Sequence, residues 1–403
     1  MKVAAIIAEY NPFHKGHEYQ IEKTREILGD DTAIIAIMSG NYTQRGELAI
    51  VDKTVRARAA VDSGVNLVLE IPFPHSMSSA EFYARSGVHI AEAIGVVDYL
   101  VFGSECGDID KLVRVAENMS SGEFTSRMAD AMREDCREIG YASLCESVYR
   151  ELYGDEVDNL LSPNNILAIE YIKALKDRSS SITPLTIKRE GAGYNEGFSA
   201  KNQFQSASAI REMMHGDFSS ALDFVPDSAK GAFLSAYKAG KMPTREQRLD
   251  SAVISFFRLN SPVGEVDIHD AAGGLYNRLQ DISSDVTTIS ALIKNSETKK
   301  YTNARIRRAV WYSYFGVTSS EVRALPRYTQ ILALDDIGRK LLKVIKRVTA
   351  LPVINKPSSL SSLDSNALSH KELCRRVDAV YPLTAAQPDS GRFPLTFTPY
   401  VKK

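Results

Sequence analysis

Cysteine is scarce in this sequence. Four occur in 403 residues, and none forms a CxxC pair or shows the spacing of metal ligands; they are Cys106, Cys136, Cys145 and Cys374. A domain held together by disulfide bonds and a cysteine-based metal site are both disfavoured by this pattern. We interpret the four residues as free thiols of a protein in a reducing cytosol, and we expect a cytoplasmic location.

Long apolar segments and a net excess of charge are also missing. No stretch approaches the roughly 18 apolar residues that span a bilayer, and the apolar run near the start is too short for a signal peptide. The net charge is −1, so the chain as a whole gives no indication of nucleic acid binding. Its 44% apolar and 25% charged residues are ordinary for a globular protein, and its length allows two domains.

Short apolar runs alternate with stretches of helical composition in the first half of the chain. The runs are mostly aliphatic, which is typical of strands buried on both faces of a parallel sheet. The early runs recur about every 30 residues, as βαβ units require. We therefore predict an α/β fold with a parallel sheet, whose strands lie at 3–8, 33–38, 67–71, 99–102 and 184–187.

The second half of the chain has a different pattern. The strand signal fades after about residue 245, and long helical patterns with charged faces follow. A Gly/Pro break in "AGKMPTREQ" marks a boundary near Pro243. We predict a catalytic domain over 1–243 and a mainly α-helical domain over 244–403.

The segment after the first predicted strand, "AEYNPFHKGHEYQ", places His14 and His17 around Gly16. Ligands of open α/β sheets bind outside the carboxyl ends of the strands. The N-terminus of the next helix, predicted to begin near His17, would attract phosphate. Imidazoles can donate hydrogen bonds to phosphate oxygens, and glycine lets a nucleotide approach the backbone. The alternatives are two surface histidines, or a zinc site for which no third ligand is evident.

A second segment, "SASAIR", suits the start of a helix. Ser206 and Ser208 are candidate N-caps, and Arg211 would lie in the first turns. Alone, the serines would be only helix caps. Together with HKGH after a first strand, the segment resembles the nucleotidylyltransferase superfamily, in which a helix N-terminus and an arginine of a similar motif hold the ATP phosphates.

Five further blocks narrow the resemblance to one family, the bacterial tRNA(Met) cytidine acetate ligases. They are "AEYNPFHKGHEYQ", "MSGNYTQRGELAIVDK", "FGSECGDI", "SPNNILAIEYIKAL" and "IKREGAGYN". The resemblance implies a Rossmann-like nucleotidylyltransferase (HUP-type) domain. It also implies that ATP and acetate form an acetyl-adenylate, from which N4-acetylcytidine is made at the wobble position of elongator tRNA(Met).

The same resemblance implies the site residues. His14 and His17 would be catalytic, and Mg²⁺ would accompany ATP without a dedicated protein metal site. The ATP site would comprise Ile7, Ala8, Glu9, Tyr10, Asn11, Pro12, Phe13, His14, Lys15, Gly16, His17, Glu18, Tyr19, Gln20, Gly103, Asn164 or Asn165, Arg189, Ser206, Ser208 and Arg211. The chain departs from the family where other members often read "GYH", since it has Tyr194 followed by Asn195.

Two blocks also have plain structural interpretations. Arg45 or Lys53 is expected to face the site, because "RGELAIVDK" follows the second strand at its carboxyl end. The same block could be a loop with solvated charges. "SPNN" could contact adenine, but with Pro163 at the first helical position it equally fits a helix start.

The basic residues are unevenly distributed. Twelve basic and three acidic residues lie between Lys299 and Arg347, a local net charge of +9. Aromatic residues are interleaved with them at positions 301, 311, 312, 314 and 315. Basic side chains neutralise phosphates and aromatic rings stack on unpaired bases, so we favour a tRNA-binding surface. Its candidate residues are Lys299, Lys300, Arg305, Arg307 and Arg308. The alternatives are a solvated helix face for the charges and core positions for Trp311 and Phe315, which are four residues apart.

Two other functions remain open at this stage. One is an adenylyltransferase that passes AMP to a small phosphorylated cofactor precursor, although such enzymes need no basic helical appendage. The other is an RNA-binding protein with a vestigial nucleotide site, which should have lost one of the two histidines. The sequence does not indicate the oligomeric state.

Overall fold

The computed structural model describes residues 1–134, 141–154, 162–189, 205–260, 267–356, 363–392 and 397–402. Its strands form one sheet in the order β5-β4-β1-β2-β3-β6-β7, with β8 also paired to β6. The strands are β1 (Val3–Ala8), β2 (Ala33–Ser39), β3 (Leu67–Ile71), β4 (Tyr99–Ser104), β5 (Thr183–Lys188), β6 (Thr329–Leu334), β7 (Val353–Ile354) and β8 (Tyr400–Val401).

Helices flank the sheet and form the rest of the described chain. They are α1 (Lys15–Leu28), α2 (Lys53–Asp62), α3 (Ala80–Ala93), α4 (Ile109–Ser120), α5 (Gly122–Glu134), α6 (Tyr141–Tyr153), α7 (Pro163–Asp177), α8 (Ala207–Gly216), α9 (Phe218–Ala221), α10 (Asp227–Lys238), α11 (Asp250–Leu259), α12 (Leu275–Ser283), α13 (Ile289–Ser296), α14 (Asn303–Phe315), α15 (Ser319–Arg323), α16 (Asp336–Val348) and α17 (Ser365–Val380). Within the described ranges, none of these helices has the length and apolarity to cross a bilayer.

The first five strands are mutually parallel, which confirms the predicted α/β sheet. Strand β2 shows why its sequence is apolar throughout, since all seven residues are buried. Ile35 and Ile37 pack on one face with α3, α4 and α7, whereas Ile34 and Met38 pack on the other with α1, α2 and α10. Because both faces of β2 are covered, a ligand can reach this central strand at its ends.

The strand signal fades after about residue 245, and β6, β7 and β8 are not predicted from the sequence. Strand β6 pairs antiparallel with β3, and α16 packs against the same sheet. Both sheet faces contain residues of β6, with Ile331 in one core and Leu332 in the other. The short run "TQILAL" is flanked by charged helical sequence, which masks the strand signal. The division at residue 243 stays a prediction, and the sheet contains residues from both sides of it.

A third core lies within the C-terminal helices. It contains residues of α11 to α14 and α17, and Trp311 and Tyr312 of α14 are fully buried in it. Tyr301 is also buried there, while Tyr314 and Phe315 pack against it. The interpretation of these five aromatic residues as base-stacking groups is therefore wrong for the buried three. Within α14, Trp311 and Phe315 are four residues apart, the spacing of a helix face that packs on a core.

Candidate active site

A cavity of about 200 Å³ opens at the carboxyl ends of β1 and β4. A smaller cavity of about 50 Å³ adjoins it on the side of β5. The larger one is lined by Ile7, Ala8, Glu9, Tyr10, Asn11, His14, His17, Gln20, Gln44, Arg45, Tyr83, Phe102, Gly103, Pro163, Asn164, Leu167, Tyr171, Arg189, Ser206 and Ala207. The structure thus brings segments far apart in sequence to the edge of the sheet where ligands of this fold class bind.

The two histidines cap helix α1 reciprocally. The Nδ1 atom of His14 accepts a hydrogen bond from the Gly16 backbone N–H at 3.1 Å, and Nδ1 of His17 accepts one from the His14 N–H at 3.2 Å. The helix therefore begins at Lys15 with His14 as its N-cap, two residues earlier than predicted. Because each Nδ1 accepts a hydrogen bond, the proton of each neutral ring lies on Nε2.

Both rings are neutral at physiological pH. Burial, followed by the positive charges of Arg189 and Arg211, lowers the pKa of His14 to about 3. Burial and the neighbouring His14 hold the pKa of His17 well below its usual range. The rings stack with centroids 3.7 Å apart, an arrangement that two imidazolium cations would disfavour. The pair can therefore offer two Nε2–H donors to phosphate oxygens without carrying charge.

The position of the His14 ring requires a glycine at residue 16. A Cβ atom at this position would lie 2.9 Å from Cε1 and 3.0 Å from Nδ1 of His14, closer than real Cβ contacts. A side chain at residue 16 would therefore displace the His14 ring. This reason differs from the close nucleotide approach that the sequence suggests.

Aromatic rings hold His17 from the other side. Tyr10 lies 4.8 Å and Phe13 5.5 Å from the His17 ring, measured between ring centroids, and both are buried. Tyr10 has a φ of 47°, a left-handed backbone conformation that is costly for a residue with a Cβ. The chain thus turns sharply at the end of β1 to bring the histidines over the sheet edge. Phe13 supports the site from behind and does not line the cavity.

Glu9 stands at the end of β1 on the side of β2. Its Oε1 atom accepts a hydrogen bond from the Gln44 backbone N–H at 2.8 Å. Burial raises the pKa of Glu9, although this N–H and the charges of Arg211 and Arg45 oppose the shift. Gln44 and Arg45 belong to the loop after β2 and line the cavity too, as expected for Arg45. Lys53, the other residue considered there, is instead buried in ion pairs of 2.6 Å with Glu70 and Asp378.

The adenine candidates on β4 and α7 separate into two roles. Asn164 lines the cavity, whereas Asn165 is fully buried and its Oδ1 accepts the Glu105 N–H at 2.9 Å. The Glu105 carboxylate in turn caps α7 by accepting from Ser162 Oγ and from the backbone N–H of Asn165. Burial of Glu105 is outweighed by these hydrogen bonds and those of Asn164, so its pKa is lowered. The Asn165 side chain therefore bonds within the protein and does not line the cavity.

The two serines of "SASAIR" also have different positions. Ser206 is the N-cap of α8, accepting the Ala209 N–H at 3.2 Å, and it lines the cavity. Arg211 donates to the Asn11 carbonyl at 3.0 Å, to Glu47 Oε2 at 2.8 Å and to Ser208 Oγ at 3.2 Å. It lines a separate cavity of about 440 Å³. Arg211 therefore fixes the loop that carries Asn11 and does not line the histidine cavity.

The remaining motif residues surround the site. Tyr19 and Gly16 line the smaller cavity, and Pro12, Lys15 and Glu18 line neither. Tyr83 and Tyr171 do line the larger cavity, although sequence reasoning missed them because they look like ordinary core aromatics on α3 and α7. The segment with Tyr194 and Asn195 lies outside the described residues.

The basic arginines of α14 have partners within the protein. Arg308 forms a 2.6 Å ion pair with Asp270 and is buried. Arg307 pairs with Glu246 at 3.4 Å, and Arg305 donates to the Asp270 carbonyl at 3.1 Å. Lys299 and Lys300 are exposed, although Lys300 Nζ also donates to the Gly273 carbonyl at 3.2 Å. Arg305 and Arg308 hold α14 against the loop containing Asp270, and Arg307 holds it against Glu246.

Comparisons with known proteins extend over nearly the whole chain. The HIGH Nucleotidyl Transferase family model matches residues 1–391. The tRNA(Met) cytidine acetate ligase of Thermoanaerobacter sp. (strain X514) is 34% identical over 372 residues, 91% of each chain. That of Halothermothrix orenii is 33% identical over 412 residues, 97% of each chain. The chain belongs to the tRNA(Met) cytidine acetate ligase family.

Solved structures of this ligase family have the same fold. A crystal structure of Thermotoga maritima TmcAL bound with alpha-thio ATP superposes with a TM-score of 0.90 at 28% identity and covers all of both chains. The apo form of that protein gives a TM-score of 0.92. The predicted HUP-type nucleotidylyltransferase fold is thereby confirmed, and so is the family resemblance carried by the HKGH and neighbouring blocks.

Proposed function

We propose that this chain joins acetate to N4 of the wobble cytidine of elongator tRNA(Met), using ATP and passing through an acetyl-adenylate, to form N4-acetylcytidine. The observation that carries the proposal is the stacked pair of neutral imidazoles at the carboxyl end of β1. It occurs in a chain that is 34% identical to a curated ligase over 91% of its length.

ATP would lie across the ends of β1 and β4, with its phosphates at the start of α1. His14 and His17 would donate from Nε2 to the phosphate oxygens, and Ser206 would contact them from the start of α8. Gly103, Asn164 and Arg189 also line the cavity, and we place the adenosine beside them. The ATP analogue bound by T. maritima TmcAL supports a nucleotide in this fold.

In the first step, a carboxylate oxygen of acetate attacks the α-phosphorus and pyrophosphate leaves. Negative charge grows on the phosphoryl oxygens in this step, and preorganised neutral donors stabilise it without first losing a charge partner. Mg²⁺ remains a prediction. Mg²⁺ commonly keeps several waters and is held through substrate phosphates, and no group of three or more metal-ligating side chains occurs among the described residues. The ion would neutralise charge on the triphosphate.

In the second step, the N4 amine attacks the acetyl carbon and AMP leaves. The cytidine N4 lone pair is delocalised into the ring, so the acyl group must be activated, and an adenylate provides that activation. A stacked, paired cytosine could not present its amine, whereas an anticodon loop can. Lys299, Lys300, Arg305 and Arg307 are the residues that we propose to contact the tRNA backbone, and the buried Arg308 would act by positioning α14. A cytoplasmic location, where tRNA is found, also stays a prediction.

The proposal is tested by incubating the protein with labelled acetate, ATP and a tRNA(Met) transcript, followed by nucleoside analysis. Label in N4-acetylcytidine without acetyl-CoA is the expected result. A transcript with uridine at the wobble position should bind but take up no label. Acetylation that requires acetyl-CoA would contradict the proposal, as would AMP transfer to a phosphorylated cofactor precursor without RNA.

A further inference from the structure

The second step needs a proton acceptor that the histidines do not provide. When N4 bonds to the acetyl carbon, the nitrogen becomes positively charged and must lose a proton to give the neutral amide. The C–O bond to AMP breaks, and AMP leaves as an anion that takes no proton. His14 and His17 are poor acceptors, because each Nδ1 already accepts a backbone N–H and each ring resists protonation.

Glu9 is the carboxylate among the described residues that line the larger cavity. The hydrogen bond from the Gln44 N–H engages its Oε1 atom and fixes the orientation of the side chain. Its Oε2 atom has no hydrogen-bond partner within the described ranges, and the side chain is half-buried. The cavity thus contains one oriented carboxylate oxygen that is free to take a proton.

Glu9 lies in the same cavity as the two histidines that would hold the acetyl-adenylate. Gly103, Arg189 and Ser206 line both cavities, as His14 and His17 do. Glu9 and the Gln44–Arg45 loop line only the larger cavity. An acetyl-adenylate held by its phosphate at the histidines would therefore share the larger cavity with Glu9.

We propose that Glu9 is the general base of the acyl-transfer step, taking the proton from the cytidine N4 as N4 bonds to the acetyl carbon and AMP leaves. This inference rests on the proposed function. It assigns Glu9 to the transfer of the acetyl group, and it leaves formation of the acetyl-adenylate to the histidines.

The surroundings of Glu9 suit this role. Burial raises its pKa, which makes the carboxylate a stronger base than one in water. The charges that face it are those of Arg211 on α8, Arg45 and Glu47 on the loop after β2, and Arg56 on α2. Tyr83 and Tyr171 lie near it from α3 and α7. The positive charges of Arg211 and Arg45 oppose the effect of burial and favour the ionised carboxylate.

The test compares the two half-reactions in Glu9→Gln. Glutamine keeps an Oε1 acceptor for the Gln44 N–H but cannot accept a proton. Acetate-dependent exchange of pyrophosphate into ATP should persist, which also reports folding and ATP binding. Single-turnover transfer from enzyme-bound acetyl-adenylate to tRNA(Met) should fall by about 10²-fold or more, the scale of general-base catalysis. Glu9→Asp should restore part of the rate, and Glu22→Gln, on the exposed side of α1, should leave both steps unchanged.

The pH profile separates a base from a merely structural residue. Wild-type transfer should decline as the pH falls through the raised pKa of Glu9, and this decline should be missing in Glu9→Gln. Loss of both half-reactions in Glu9→Gln would overturn the inference and place Glu9 with ATP or its Mg²⁺. Unchanged transfer, or a slow transfer that keeps the acid limb, would also overturn it. If the wild type makes no N4-acetylcytidine at all, the proposed function itself fails.

Discussion

The start of α1 and the start of α14 are both rich in groups that suit phosphate, yet the fold uses them differently. At α1, the two imidazoles use Nδ1 for the backbone and keep Nε2 for a ligand. At α14, Arg305, Arg307 and Arg308 reach carbonyls or carboxylates of the protein itself. The comparison teaches that a residue suited to a ligand serves the ligand only where the fold leaves a donor unused.

The same distinction applies within a single motif. Asn164 and Asn165 are adjacent and chemically identical, and both side chains bond to Glu105, yet Asn164 lines the cavity whereas Asn165 is fully buried. The N-terminus of α7 also already holds an anion, the Glu105 carboxylate, so it has little left to offer a phosphate. Helix α1 is capped by neutral rings instead. Of these two helix ends, we expect that of α1 to receive the triphosphate.

The largest expected effect is the loss of a histidine from α1. His14→Ala and His17→Ala should each slow single-turnover acetyl-adenylate formation by about 10²-fold or more, because each removes a donor to the transition state. ATP binding should weaken far less, since other contacts to the nucleotide remain. Rapid-quench measurement of acetyl-adenylate at saturating ATP checks this. Near wild-type rates in both variants would contradict the idea that the start of α1, unlike that of α14, keeps hydrogen-bond donors for the ligand.

Gly16→Ala should act on the same step with both imidazoles still present. The new Cβ would lie 2.9 Å from the His14 ring and push it out of position. Misplacement of a catalytic group by about 1 Å can cost 10²-fold, so we expect a loss of about 10-fold for a smaller shift. The rate of acetyl-adenylate formation is the measurement. Gly122→Ala, at a glycine with open space around it, is the matched control and should be neutral.

Sequence reasoning succeeded where a pattern reports a local property. The five parallel strands are apolar because both faces are covered, and HKGH is informative because its two histidines follow the first strand directly. It failed where the outcome depends on distant partners. Strand β6 forms against β3 across more than 250 residues, and Asn165 is buried because Glu105 lies above it. The spacing of Trp311 and Phe315 allowed a core position as well as base stacking, and only the partners of Trp311 in the folded chain decide for the core.

The next prediction separates charge that faces tRNA from charge that holds the fold. Arg308→Ala leaves Asp270 with a half-buried carboxylate that has lost its ion pair, and we expect the free energy of unfolding to fall by about 2 kcal/mol. Lys299→Ala with Lys300→Ala should leave stability unchanged but weaken tRNA binding and flatten its salt dependence, since fewer counterions are released. Thermal denaturation and filter binding at several salt concentrations measure the two effects. If Arg308→Ala keeps its stability, and if it changes the salt dependence of tRNA binding while the lysine variant does not, then Arg308 faces the tRNA and the lysines do not.

The smallest expected effect is an absence of pH dependence in the first half-reaction. A free imidazole titrates near pH 6.5, so charged histidines would make acetyl-adenylate formation change between pH 8 and 6. The pKa of His14 is lowered to about 3, so both rings stay neutral across this range and the rate should be flat.

The lowered pKa values of the two histidines should instead affect the stability of the fold. The unfolded chain binds protons near pH 6.5 while the folded chain does not, so the free energy of unfolding should fall as the pH drops below that value, by at most about 1.4 kcal/mol per pH unit for each histidine. Acetate-dependent pyrophosphate exchange and urea denaturation over the same pH series test both statements. An inflection of the exchange rate near pH 6.5 would mean that the imidazoles act as cations, and the start of α1 would then resemble the arginine-rich start of α14.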